Sequence, residues 1–230
     1  MTPERKAKPG TVPFSAARGF IFDLDGTLLN SHEAHYRAWD RALQEHDVHK
    51  TKEEIVSQFG RPTPTIAVTL LGPDSDPEII SAIAREKAAY VLAEIPTLDL
   101  FPGAKELLRK IKAAGKKIAI ASSSLARTID AVIDAHELRA LVDTRIGLDE
   151  ITNAKPDPEM ILAAAAALGL EPARCVVTGD SLYDIGAGRA AGCFTVGVAT
   201  GSFSRQQLAA ARADLVLGAI KDMIPLIPKN

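Results

Sequence analysis

The chain has 230 residues, a formal net charge of −2 and a sequence pI near 6.2, a balance that excludes a general attraction to nucleic acid or to an anionic membrane. Hydrophobic residues make up 47% of it, enough for a substantial core, while aromatics at 5% offer little for stacking on bases. No stretch reaches the ~18 uninterrupted apolar residues of a membrane span. The two cysteines, Cys175 and Cys193, are too far apart in sequence to form a local pair. They read as buried small hydrophobes in a reducing compartment, so a cytoplasmic protein is expected.

Residues 1–17 mix Lys, Arg, Pro and Gly, lack the apolar centre of a secretory signal, and are expected to form a flexible tail. The stretch GFIFDLDGTLLNS at 19–31 is an apolar strand that runs into two aspartates, Asp23 and Asp25. Two like charges ~4 Å apart cost about 4 kcal/mol at an effective dielectric of ~20, so the pair needs a chemical reason. Residues 31–98 read as helices throughout, with no strand among them. From 99 onward, short β-branched runs (KIAIAS at 117–122, a weaker LVDTRIG at 141–147, CVVTGD at 175–180, FTVGVA at 194–199, ADLVL at 213–217) alternate with helical segments. That rhythm predicts βαβ units and an α/β fold with a Rossmann-like parallel sheet. Residues 18–30 and 99–230 would form this core, and 31–98 a helical cap inserted through two connections that can hinge.

Ligands of open parallel sheets bind at the carboxyl ends of the strands, where the topology switches. Asp23, Ser122 and Asp180 each end a predicted strand, and Lys155 lies in a strand-to-helix loop. Four polar groups from distant parts of the chain therefore fall on one rim. Residues two apart in a strand span about 6.6 Å and face the same side, so a phosphoryl group fits between Asp23 and Asp25. One carboxylate can attack phosphorus while the other serves the leaving oxygen. A phosphate ester beside ionised Asp23, Asp180 and Asp184 gathers more negative charge than Lys155 offsets. A divalent cation is required, and hard carboxylate ligands favour Mg²⁺.

DLDGT, IAIAS, AKPDP and GDSLYD, in that order, resemble the four motifs of the haloacid dehalogenase superfamily of phosphatases. The helical insertion resembles the small cap of its phosphoglycolate phosphatase and β-phosphoglucomutase branch. The resemblance implies that Asp23 is the nucleophile, that Asp25 is the general acid and then the base, and that Ser122 and Lys155 hold the phosphate. It further implies that Asp23, Asp180 and the main-chain carbonyl of Asp25 bind Mg²⁺, with Asp184 supporting the metal from behind. The expected substrate is a small phosphorylated metabolite, with no nucleic-acid or membrane partner, and the chain acts as a monomer or homodimer.

Other readings compete at several positions. Ser122 also fits as a helix cap, with Ser123 and Ser124 as rivals for the phosphate. Ser181 and Asp184 have the spacing of a capping box. GAGRAA at 186–191 matches a dinucleotide fingerprint, but it lies inside a helix where glycines serve close packing. In the cap, His35 and Trp39 share a helical face; Trp39 reads as cap core, His35 and Arg61 as substrate contacts. A sugar phosphomutase is the alternative. It is disfavoured because Gly179 stands where the mutase metal motif carries Glu, and because the mutase's cap Arg and Lys do not align with Arg61 or Lys87. Asp25 argues against a dehalogenase, which has no leaving oxygen to protonate. A non-hydrolytic phospho-aspartate signalling module shares the aspartate, hydroxyl and lysine but is about half as long and lacks the second acid.

Overall fold

The structure is a computed structural model that describes residues 14–228. Among them six strands form one parallel sheet: β1 (Gly19–Phe22), β2 (Lys117–Ala121), β3 (Thr144–Ile146), β4 (Cys175–Gly179), β5 (Phe194–Val198) and β6 (Leu215–Leu217). Their order is β3-β2-β1-β4-β5-β6, so the chain winds outward in both directions from the central β1. The crevice where the winding reverses lies at the carboxyl end of β1, between β2 and β4.

Alternation along each strand splits the core into two layers. Phe20 and Phe22 face one side with Ile118, Ile120, Val176 and Val196, against α5 (Ala104–Ala113) and α6 (Ala126–Ala135). Ile21, Ala119, Ala121 and Val177 face the other, against α7 (Glu159–Ala167) and α8 (Leu182–Ala190). Residues 20–22 are wholly buried, as a strand covered by helices on both faces requires. The segment GAGRAA falls largely within α8, and a Cβ at Gly188 would press on Thr195 and Val177, so the glycines do serve close packing of helix on sheet. A last short helix, α9 (Arg205–Ala210), precedes β6.

Between β1 and β2 the described chain is helical: α1 (His32–Gln44), α2 (Lys52–Val56), α3 (Thr63–Leu71) and α4 (Pro77–Glu94). These helices bury their own apolar cluster, with Trp39, Leu43, Ile55, Ile66 and Ile83 at its centre. Two strands of chain link it to the sheet, at Leu29–Ser31 and near Leu98–Phe101, and they touch where Leu29 bridges Leu100.

The expected flexible tail needs one correction. Residues 1–13 lie outside the described residues, but Phe14 and Ala17 are buried, and the Phe14 ring stacks on Phe20 with centroids 6.0 Å apart. An aromatic side chain placed over the strand edge gains too much burial to stay in solvent. No helix among the described residues is long and apolar enough to cross a membrane.

Candidate active site

The centre of the site follows from the sheet's ends. The Asp23 N–H donates to Thr178 O at 2.9 Å, extending β1 by one rung and setting the carboxylate on the rim. Ser122 and Asp180 directly follow β2 and β4, the neighbours of β1. The chain then turns sharply at Gly26, whose φ of 79° is open to glycine and strained for other residues. That turn brings Thr27 Oγ1 to 3.3 Å from Asp180 Oδ1. Lys155 enters from the loop before α7 with its side chain only 2% exposed. It donates to Asp23 Oδ1 at 2.9 Å, Asp184 Oδ1 at 2.6 Å and Ala121 O at 2.7 Å, which uses all three ammonium protons.

Asp184 fills the capping-box role that its spacing allowed and also pairs with Lys155. Its Oδ2 completes a capping box with Ser181 at the start of α8, while Oδ1 pairs with Lys155. A side chain at Gly179 would collide with Asp184. Glycine before Asp180 is therefore what lets the third carboxylate reach the centre. Gly201 plays the same part on the other side, where an added Cβ would overlap Asp180 Oδ2.

Burial drives the Asp23 carboxyl well above its usual range; Lys155 pulls against that, while Asp184, Asp180 and Asp25 add to it. Burial also raises Asp180, with His32 opposing and Asp184 reinforcing. Burial penalises the Lys155 charge, yet Asp184 and Asp23 more than compensate and hold it above the ordinary lysine value. Carboxylate oxygens of Asp23, Asp180 and Asp184 lie within 4.8 Å of one another. One lysine bonds two of the three acids, and the hard oxygen set left under-neutralised fits a small divalent cation.

Asp25 has the opposite environment. Burial pushes it up, but the attraction of His35 and hydrogen bonds from His35, Ser124 and Ser31 override this and hold it well below the carboxylate range. Ser31 Oγ and Ser124 Oγ each donate to it at 2.7 Å, and His35 Nε2 lies 3.0 Å away. On its other nitrogen, His35 Nδ1 meets Lys87 Nζ at 2.9 Å. An ammonium can only donate, so Nδ1 accepts and Nε2 carries the proton toward Asp25.

A cavity of about 70 Å³ opens over these groups, and Ser122, Ser123 and Arg61 line it with the aspartates. Ser122 Oγ accepts from the Ser124 N–H at 3.1 Å, so it also shapes the turn after β2. Arg61 Nε donates to Tyr183 Oη at 2.8 Å, joining the α2–α3 loop to α8. Trp39 is wholly buried in the helical cluster but also borders the cavity, with Lys87 Nζ 5.6 Å from its ring centroid.

Two site residues went unread in the sequence. Lys87, set aside as out of register, lies buried at the mouth of the site; it sits four residues from Ile83 and from Val91, the buried stripe of α4. A lysine on an apolar stripe was the available signal. His32, at the first position of α1, lies 3.5 Å from Asp180, and no sequence pattern marks it.

The family model described as haloacid dehalogenase-like hydrolase matches residues 17–192. The chain belongs to that family. It is thus a hydrolase, and the expected superfamily and fold hold. It is 30% identical over 207 residues to the pyrophosphatase PpaX of Bacillus velezensis, covering 89% of this chain and 93% of the relative. It is 29% identical over 197 residues to validoxylamine A 7'-phosphate phosphatase of Streptomyces hygroscopicus subsp. limoneus, covering 86% and 91%. A solved β-phosphoglucomutase from Clostridium difficile superposes with a TM-score of 0.79 at 25% identity, covering 90% of this chain and 93% of that one.

Proposed function

We propose that this hydrolase is a Mg²⁺-dependent phosphatase that cleaves a small phosphate monoester through an aspartyl-phosphate. The observation that carries the reading is Asp23 on the sheet rim, 2.9 Å from Lys155 and within 4.8 Å of Asp180 and Asp184. Asp23, Asp180 and the Asp25 carbonyl would hold the ion. Asp184, with both oxygens already bonded, steadies Lys155 and the ion's surroundings. When bound, Mg²⁺ supplies a template and charge neutralisation for the phosphoryl group.

Asp23 attacks phosphorus while Lys155 keeps its carboxylate aimed and offsets charge on the phosphoryl oxygens. Ser122, or Ser123 beside it, donates to those oxygens. Asp25 delivers a proton to the leaving oxygen; it takes that proton from Nε2 of His35 as Lys87 gives one to Nδ1, which leaves a neutral imidazole and a neutral lysine. In the second half, Asp25 takes a proton from water, which attacks phosphorus and frees Asp23. Helices α1–α4, residues 31–98, act as a cap over the core of 18–30 and 99–230, and Arg61 and His35 read the substrate. The free thiols of Cys175 and Cys193 fit a cytoplasmic setting.

Repeated release of phosphate from p-nitrophenyl phosphate with Mg²⁺ is the expected result, and Asp23→Asn should leave under about 1% of it because an amide is a poor nucleophile. A stoichiometric burst without turnover would instead mark a phosphate-holding module. The position of Lys87 keeps a sugar phosphomutase as the second reading, since a buried cation beside His35 can receive a second phosphate. Product analysis on a hexose 1-phosphate separates the two: free phosphate for the first, the 6-phosphate for the second.

A further inference from the structure

A second cavity of about 190 Å³ lies beside the first, between α4 and the start of α6. His35, Thr63, Lys87, Ser123 and Ser124 border both, so the two spaces meet where a leaving group would depart. Its walls are mainly apolar, built from Ala88 and Val91 of α4 with Leu125 and Leu148 of the core. Three cations border it, Arg85, Lys87 and Arg127, and no acidic residue does among the described residues. The exposed side chains of Arg85 and Arg127 make no ion pair or hydrogen bond among the described residues. Some arginines elsewhere on the surface pair with carboxylates, as Arg139 does with Asp134 at 2.7 Å and Arg145 with Asp130 at 3.0 Å, and others, such as Arg174 and Arg212, do not; what sets Arg85 and Arg127 apart is that both border one apolar cavity.

We propose that this cavity seats the leaving group of the substrate, and that the group has an apolar body ending in an anion. The inference rests on the phosphatase reading and names its substrate class: the ester phosphate lies over Asp23, the apolar body fills the space between Ala88 and Leu125, and a carboxylate or second phosphate meets Arg85 and Arg127. A polyol body would leave its hydroxyls against Val91 and Leu148 without partners, at the cost of unsatisfied polar groups. The apolar space favours a body that displaces water from it. The arginines add orientation through paired N–H donors that suit carboxylate and phosphate oxygens.

The test compares phenyl phosphate, 4-carboxyphenyl phosphate, hydroquinone bisphosphate and acetyl phosphate on the full-length protein with Mg²⁺. In Arg85→Gln/Arg127→Gln, kcat/KM for at least one anionic aryl ester should fall about ten-fold or more, mostly through KM, and phenyl phosphate should change less than about two-fold. The anionic ester with the larger loss identifies the anion. Ala88→Phe should depress every aryl ester and spare acetyl phosphate, whose turnover also reports that the variant folds. Equal effects of the arginine pair on charged and uncharged esters would overturn the inference while the phosphatase reading stands. Failure of the unsubstituted protein to turn over any ester would remove that reading, and this inference with it.

Discussion

At the scale of single residues, the site is a contest over where charge can be buried. Lys155 is the clearest case, because its removal leaves Asp23 and Asp184 without their shared cation. Lys155→Met is expected to lose roughly 3–5 kcal/mol of stability in urea unfolding at pH 7, and less at lower pH, where Asp23, its carboxyl already raised by burial, takes up a proton. Lys87 acts in the opposite sense. Burial lowers it to about 8 from an ordinary 10.5, so its charged form is penalised in the fold at neutral pH. The unfolded chain binds the extra proton between those two values, so this penalty is full below pH 8 and fades as pH rises toward 10.5. Lys87→Met should therefore stabilise the protein by up to about 3 kcal/mol at pH 7, with a shrinking advantage up to pH 10, while turnover falls. A variant less stable than the parent at pH 7 would show that the Lys87–His35 contact outweighs the burial cost. Asp23 and Asp180 were legible in sequence because they directly follow predicted strands, and Asp25 and Lys155 because their motifs lie in the loops that leave the same rim. His32 was not, because its approach to Asp180 depends on how α1 leaves the turn at Gly26.

At the scale of elements, the strands were legible from β-branched runs, and even the weak LVDTRIG run yields β3, a three-residue strand paired with β2. The helical stretch was legible as helix, but not which of its residues would face the sheet. α4 illustrates the reason: its buried set is Ile83, Lys87 and Val91, and periodicity alone counts the lysine as an exception to the stripe. The link between Arg61 and Tyr183 spans 122 positions and joins the α2–α3 loop to α8. Arg61→Ala and Tyr183→Phe should be non-additive in kcat/KM, with a coupling of about 0.5–1.5 kcal/mol in a double-mutant cycle. Additive losses would mean that the two side chains act on substrate independently.

At the scale of the whole molecule, one parallel sheet collects the chemistry of four distant segments on a single rim. Burying acids there costs stability that a bound cation would offset, since anything that binds only the folded state raises its stability by mass action. Mg²⁺ should raise the melting temperature progressively with concentration, and Asp180→Asn should flatten that dependence while the metal-free protein melts no earlier than the parent. A Mg²⁺ response unchanged in Asp180→Asn would move the ion elsewhere. The start of the described chain has a practical consequence. Phe14 packs on Phe20 and Phe194, at the amino ends of β1 and β5, and so at the opposite pole of the sheet from Asp23. Immobilisation or fluorescent labelling upstream of Phe14 would thus attach the enzyme by its back, leaving the mouth open to bulk solution.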